Sequence, residues 1–560
     1  MKSSSTNRGR RAAIGAVLLC TFSAAAWAQS GPVISARPGE RKMESLPAPA
    51  EDGIHLSLDQ AVAIALANNA DLNVSVNASE ASQFVLFQNY GIYDPLLTSS
   101  AIRAHNTSPT SSELSGADVL TNDTFDAGVE VSQLTPWGGT YSLGFTGNRS
   151  ASNSDFFNIN PSYSAGLTLG VSQPLLRNFG KRATNILIDT ARNSRDANYQ
   201  LLIRSVQVVI NGVEQAYWDL VYAKGNLIVK QEYKNLAIEL NRITKIRIDV
   251  GSLAPIDIVQ TEVDIALAEQ DIINAEAAVG LAEDQLKRLL NFEAGSWGKT
   301  PLIPTDAIQA EKQVFDLAEG VKTALQRRPE ILAQNYAVAS NELRYEYWGN
   351  QTLPQLDLVG DYGRSGLDGR VIDQNGNVIA RNGFGGAASQ IFNENFKNWR
   401  IGLVFSYPIL NRAARGARGV AKYNLETERA RLTVLEQDII VGVRAAHRAI
   451  ETASRQIDAA AKGRELAERN LDAARKKYDN GMTTSFEVSQ ITADLSDARS
   501  RELNALAIYR KAVSAYHNAT ADILEWKGVQ IEGLPDMQPP EPVDARAAMT
   551  RRDLGAPAAP

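Results

Sequence analysis

Asp257 and Glu487 are acidic residues whose surroundings repeat. The stretch from Asp249 to Gln260 reads D-V-G-S-L-A-P-I-D-I-V-Q and returns as D-N-G-M-T-T-S-F-E-V-S-Q from Asp479 to Gln490. Asp249, Gly251 and Gln260 recur as Asp479, Gly481 and Gln490, while Arg247, Ile256, Asp257 and Ile258 recur in kind as Lys477, Phe486, Glu487 and Val488. In each copy a helical pattern ends at a glycine, which tolerates the left-handed backbone that closes a helix, and Ser252, Thr483 or Thr484 can cap the next one. Each copy therefore reads as the tip of a helical hairpin. At such a place a carboxylate also stabilises the N-terminus of the helix it begins.

Other residues that could do chemistry do not assemble. His55, His105, His447 and His517 are scattered, and Gly180-Lys181-Arg182 lacks the spacing and the hydroxyl of a phosphate loop. No catalytic, cofactor-binding or metal-binding set emerges, so the sequence is not read as an enzyme. The aromatic residues Trp348, Trp399, Phe405 and Tyr407 suit an interfacial belt better than a ligand pocket.

The 560 residues open with Lys2, Arg8, Arg10 and Arg11, an apolar run from Ala12 to Ala26, and the small-x-small site Ala26-Trp27-Ala28. Residues 1–28 read as a secretory signal peptide. The single cysteine, Cys20, follows Leu19 rather than a small residue, which argues against a lipid anchor and leaves the exported chain without thiol chemistry. Removing the signal deletes basic residues and no acidic one, so the exported chain is more acidic than the net charge of −6, and nucleic acid is a poor partner. After the signal no apolar run approaches the ~20 residues of a membrane-spanning helix. Membrane residence would need strands.

Positioning the tips requires a duplicated frame. Residues 29–55 read as an extended lead-in, followed by a first repeat over 56–310, a second over 311–530, and a Pro/Ala-rich tail over 531–560 expected to be disordered. Helix is expected from Leu56 to about Tyr90, where Leu58, Val62, Ala65, Leu66 and Leu72 share a face, matched by Leu317, Val321, Ala324, Leu325 and Ile331. Pro95 meets Pro354, and after each the period becomes alternating. The second copy gives a strand pair beginning at Pro354 and at Trp399, joined by a Gly/Asn-rich loop from Ser365 to Lys397. The first copy gives alternating runs near 95–104, 124–134, 139–149 and 162–173, with a tight turn at Thr135 to Gly139. Apolar-out, polar-in strands fit a membrane barrel wall, although a soluble sandwich alternates as well. Whether the hairpin 124–149 lies in the wall or projects from it stays open.

After Pro174 and Pro408 the helical period runs from about Ala183 to Asp249 and from about Ala413 to Asp479, each about 100 Å of helix at ~1.5 Å per residue. In the second, Ile439, Val443, Ala446, Ile450, Ala453 and Ile457 begin a heptad seam that predicts supercoiled neighbours. The tips span 250–256 and 480–486. The first return is expected as two helices stacked end to end, Ile256 to Asn291 and Phe315 to Trp348. The second return, Phe486 to Trp526, is expected to be continued by helix 56–90.

A signal peptide, an L-x-x-A-[IV]-x-x-A-L helix, proline-led strands, a Q-P-L-L return, a very long helix and a G-x5-[DE]-[IV] tip, nearly all in duplicate, resemble the TolC-type outer-membrane efflux channels. The resemblance covers residues 56–528. It implies a mainly α chain with a membrane β-barrel portion, closed as a homotrimer in the outer membrane of a Gram-negative bacterium with its helices tunnelling through the periplasm. It also implies a periplasmic adaptor protein and an inner-membrane pump of the RND or ABC kind, with no cofactor. The family's usual barrel takes four strands per chain; six result here if the extra hairpin joins. Acidic rings close the tip in some members, which points to Glu487 with Asp257, the neutral Gln260 and Gln490 occupying the second acidic place. Arg247, Gly251, Lys477 and Gly481 become the candidate adaptor contacts. The duct would serve efflux of small molecules or export of proteins. A structural coiled-coil envelope tether would explain the helices but not the strands at matching points of both repeats.

Overall fold

The computed structural model describes residues 53–529 and 531, apart from 112–114, 294–296, 298–299, 310, 374–376 and 395. The signal segment, nearly all of the lead-in and nearly all of the tail lie outside the described residues.

The chain begins with strand β1 (Ile54–Leu56), helices α1 (Leu58–Asn68) and α2 (Ala70–Tyr90), and strands β2 (Leu96–Pro109), β3 (Val119–Leu134), β4 (Thr140–Ser152) and β5 (Ile159–Pro174). A short α3 (Lys181–Thr184) leads into α4 (Ile186–Asp249), which returns through α5 (Asp257–Leu290) to β6 (Leu302–Pro304). The second half repeats the order with α6 (Leu317–Arg327), α7 (Pro329–Gln351), β7 (Gln355–Ile372), β8 (Val378–Arg381), α8 (Phe384–Asn393), β9 (Lys397–Ser406), α9 (Arg412–Asp479), α10 (Ser485–Thr520) and α11 (Ile523–Trp526). Both helices expected to be continuous before the strands are broken, at Asn69 and at Arg328, where extended backbone separates α1 from α2 and α6 from α7. Pro329 at the start of α7 lacks the amide that a continuous helix would need.

The expected stacking of the return helices is corrected. Helix α5 adjoins α2, not α7: the Asn69 side-chain amide donates to the Leu289 carbonyl at 2.8 Å, and that of Asn291 to the Asn68 carbonyl at 3.0 Å. The end of α10 adjoins α7 instead, with Arg204 donating to Asn518 at 2.6 Å and pairing with Glu330 at 2.7 Å. The cause is a short parallel pair that period analysis does not detect. Strand β6 aligns with β1 (Ile54 opposite Leu302), tying the exit of α5 to the entrance of α1. Tyr217 secures the junction by donating to the Leu56 carbonyl at 3.1 Å and to Asp306 at 2.5 Å. The predicted seam of α9 is buried at Ile439, Val443, Ile450 and Ala453.

Strands β2, β3, β4, β5, β7 and β9 form one continuous antiparallel path, with the short β8 added at the far end of β7. The hairpin left undecided by the sequence is paired along both sides, β3 from Leu96–Ser132 to Pro109–Val119 and β4 from Thr140–Ser172 to Ser150–Ser162. Residues directly opposite share a face, so one row carries Leu97, Val131, Leu143, Leu169, Tyr362 and Trp399 across all six strands. The opposite face carries Ser100, Gly128, Thr146, Gly166 and Ser365, and lower down an ion pair of Arg400 with Asp361 at 2.5 Å. The strands are longer than the alternation suggested. The loop expected from Ser365 to Lys397 is in part the end of β7, then β8 and α8. Among the described residues no helix is long and apolar enough to cross a membrane.

Candidate functional site at the paired helical tips

The two tips are built alike. Helix α4 ends with Gly251 at φ +75°, its amide donating to the Ile248 carbonyl at 2.9 Å and the Ser252 amide to the Arg247 carbonyl at 2.7 Å. Helix α9 ends with Gly481 at φ +70°, its amide donating to Tyr478 and that of Met482 to Lys477, both at 2.9 Å. Both are the six-to-one and five-to-two bond pairs that close a helix on a left-handed residue. The predicted glycines therefore have a backbone reason to recur, and both are exposed at the turn.

Arg247 is not a free surface cation. Its guanidinium reaches the other hairpin, donates to the Tyr478 carbonyl at 2.5 Å, lies 3.3 Å from an Asp479 carboxylate oxygen and sits 4.1 Å over the Tyr478 ring. The buried Tyr478 hydroxyl meets Thr244 at 2.9 Å. Leu240, Leu471, Ala474, Val488 and Leu495 pack beside this lock. Lys477, the counterpart of Arg247, is exposed, and its carbonyl accepts from the Met482 amide.

Asp257 opens α5 and is half-buried; Glu487 stands in the first turn of α10 and is exposed. The Thr484 hydroxyl accepts from the Glu487 amide at 3.3 Å, and the Thr483 hydroxyl donates to the Glu487 carboxylate. Glu487 thus serves the helix start whatever else it does. No contact joins Asp257 to Glu487 among the described residues. Gln260 and Gln490 each turn one helical step onward, to Asp264 at 3.1 Å and Asp494 at 3.4 Å. The repeat thus extends past the stretch that the sequence comparison used, and following it further would have found both aspartates. Asp264 is buried and accepts from Ser489 of the second hairpin, forming a second bridge between the tips. The lock residues Tyr478 and Thr244 meet across two hairpins distant in the chain, so no local sequence signal marks them as partners.

The outermost surface is apolar: Val250, Ile256, Met482 and Phe486 are 69 %, 70 %, 75 % and 57 % exposed. Among the described residues no group of three or more His, Cys, Asp or Glu side chains could hold a metal ion. An exposed apolar rim beside carboxylates offers electrostatics and a docking surface.

Comparison with known proteins bears on the fold as a whole. The Campylobacter jejuni CmeC outer membrane channel superposes with a TM-score of 0.60 at 17% identity, covering 84% of this chain and 89% of that one. The open state of the Neisseria gonorrhoeae MtrE outer membrane channel gives 0.59 at 18%, with 85% and 91% covered. The outer membrane protein VceC of Vibrio cholerae gives 0.60 at 13%, with 83% and 95% covered. At these identities the likeness is one of fold. No curated protein matches in sequence. A model of the outer membrane efflux protein family matches residues 140–291 and 320–520, more than half of the chain, and the chain belongs to that family.

Proposed function

We propose that three copies of this chain close their sheets into one barrel in the outer membrane and their helices into a periplasmic duct. The observation that carries the reading is the pair of unfilled sheet edges. Among the described residues strand β2 pairs only with β3 and β9 only with β7, while the belt between them is apolar on one face. Edges left open in lipid strand backbone donors and acceptors at several kcal/mol each, so neighbouring copies must supply the partners. Six strands per copy give an eighteen-stranded wall in a trimer.

The duct expels small molecules or exported proteins delivered by an inner-membrane pump. A periplasmic adaptor docks on the apolar tip around Val250, Ile256, Met482 and Phe486, with Gly251 and Gly481 at its margin. In the resting state Arg247 holds the hairpins together, and symmetry brings the Glu487 carboxylates into a ring that binds cations, with Asp257 beside it. Exported chain without a lipid anchor completes the reading.

Electron microscopy of detergent-extracted protein tests it. Hollow three-fold particles with a helical extension of about 100 Å are expected. Solid or monomeric rods would remove the duct and favour a structural tether.

A further inference from the structure

The apolar face of the sheet ends in a charged row. Toward the end of the strands away from α2, α4 and α9, Arg103, Phe125, Arg149, Tyr163 and Asp368 stand directly opposite one another on five successive strands and on the same face as the belt. One step beyond, His105 takes Asp123 at 2.7 Å, and Asp368 accepts from Asn382 at 3.1 Å. Among the described residues no hydrogen bond or close ion pair is made by Arg103 or Arg149, although both lie within electrostatic reach of the Asp123 carboxylate that His105 engages. Two guanidiniums two strands apart, about 10 Å at the usual strand spacing, are thus left at the upper margin of an apolar surface.

Immediately below them is a groove of about 560 Å³, within the range of small-molecule sites. Its floor is Ala127, Val129 and Gly147; Phe125 and Phe145 flank it, and Arg149 lines its upper end. Helix α8 forms the remaining wall through Phe384, whose ring meets that of Phe145 edge-on at 6.2 Å. Gly147 is what allows this approach, since a Cβ there would lie 2.6 Å from Phe384. The helix itself is seated on Ala165 by Ala387 and Ile391, so the wall is fixed.

We propose that this is a binding site for a phosphorylated lipid of the outer leaflet, with an acyl chain in the groove and the phosphate between Arg103 and Arg149. The continuity of the groove with the lipid-facing belt selects a lipid over a soluble ligand. The guanidiniums, whose N–H groups are not taken up by hydrogen bonds among the described residues and which match phosphate oxygens two bonds at a time, select an anionic headgroup. In the usual barrel orientation the row lies at headgroup depth, where basic side chains gain most from anionic lipid. The inference rests on the sheet being the outer-membrane wall.

The test uses the full-length protein in detergent, titrated with bis-phosphorylated lipid A, with dephosphorylated lipid A and with inorganic phosphate, and read by native mass spectrometry. Bis-phosphorylated lipid is expected to be retained. Loss of its phosphates, or the double change R103A/R149A, is expected to weaken binding about tenfold or more, R103K/R149K restoring part of it. Equal retention of the two lipids, unchanged binding by R103A/R149A, or equal binding of inorganic phosphate overturns the proposal. Conductance of the same samples in planar bilayers separates the two readings. Protein that inserts and conducts without discriminating phosphate sinks the lipid site alone; protein that does neither sinks the membrane wall with it.

Discussion

Arg247 of the first hairpin donates to the backbone carbonyl of Tyr478 in the second and lies flat over the ring of that same tyrosine. A charged hydrogen bond and a cation–π contact between partly buried groups contribute roughly 2–4 kcal/mol together. Arg247→Ala should therefore loosen the tips, raising single-channel conductance in planar bilayers severalfold over the unaltered protein. A conductance that stays at the resting level would remove the lock from the gating account.

Glu487 has two duties to separate. Replacement by Gln keeps a side-chain acceptor for Thr483 and the Thr484 cap bond to its backbone. The variant should fold with a melting temperature within a few degrees of the parent, its ΔΔG about 0.5 kcal/mol. Block of the open channel by multivalent cations should fall by about tenfold. Unchanged block would leave Glu487 as a helix-start residue only.

The hairpin β3–β4 gives a test of the wall. Val129 faces the belt and Gly128 the polar side. Val129→Arg should cost about 2–4 kcal/mol at mid-membrane depth and reduce assembled trimer in the outer membrane, whereas Gly128→Ser should leave assembly unchanged. Equal tolerance of both would place the hairpin outside the lipid.

Acid should weaken the junction at the end of α10. Burial acts to raise the Asp522 carboxyl, but hydrogen bonds from His517, at 3.0 Å, and from Thr520, at 2.6 Å, outweigh it and hold the group below its ordinary value. A lowered folded value means that the stabilisation is complete above the unfolded aspartate value of about 3.9 and is lost as pH falls through the lower, folded one. Asp522→Asn should lower the melting temperature at neutral pH, with a cost of about 1–2 kcal/mol, and flatten the acid limb of the melting curve. An acid limb identical to that of the parent would show that other carboxylates dominate.

What the sequence made legible follows from the range of each signal. Long helices, glycine-closed tips and the seam from Ile439 to Ile457 are local periodicities, and the duplication amplified them. The break at Asn69 was hidden because apolar spacing continues across it, Leu66 and Leu72 sharing a face. The β1–β6 pair is three residues long and joins segments far apart in the chain, so no period exposes it, and the order of the return helices was misread as a result. From the sequence Arg247 reads as an adaptor contact, because its partner lies in the other repeat and leaves no local signal. Face membership of the hairpin 124–149 was legible from alternation; its pairing on both sides was not, since registers are fixed by neighbours.

The extra hairpin also sets a width. Each protomer brings four helical columns to the junction, α4, α9, α5 with α2, and α10 with α7, which at about 10 Å apart occupy some 40 Å of perimeter. Six strands about 4.8 Å apart and tilted by about 40° occupy roughly 38 Å, whereas four would occupy about 25 Å. With the hairpin in place, strand and helix perimeters agree, so the trimer proposed above would keep one calibre from stem to mouth without a funnel between them.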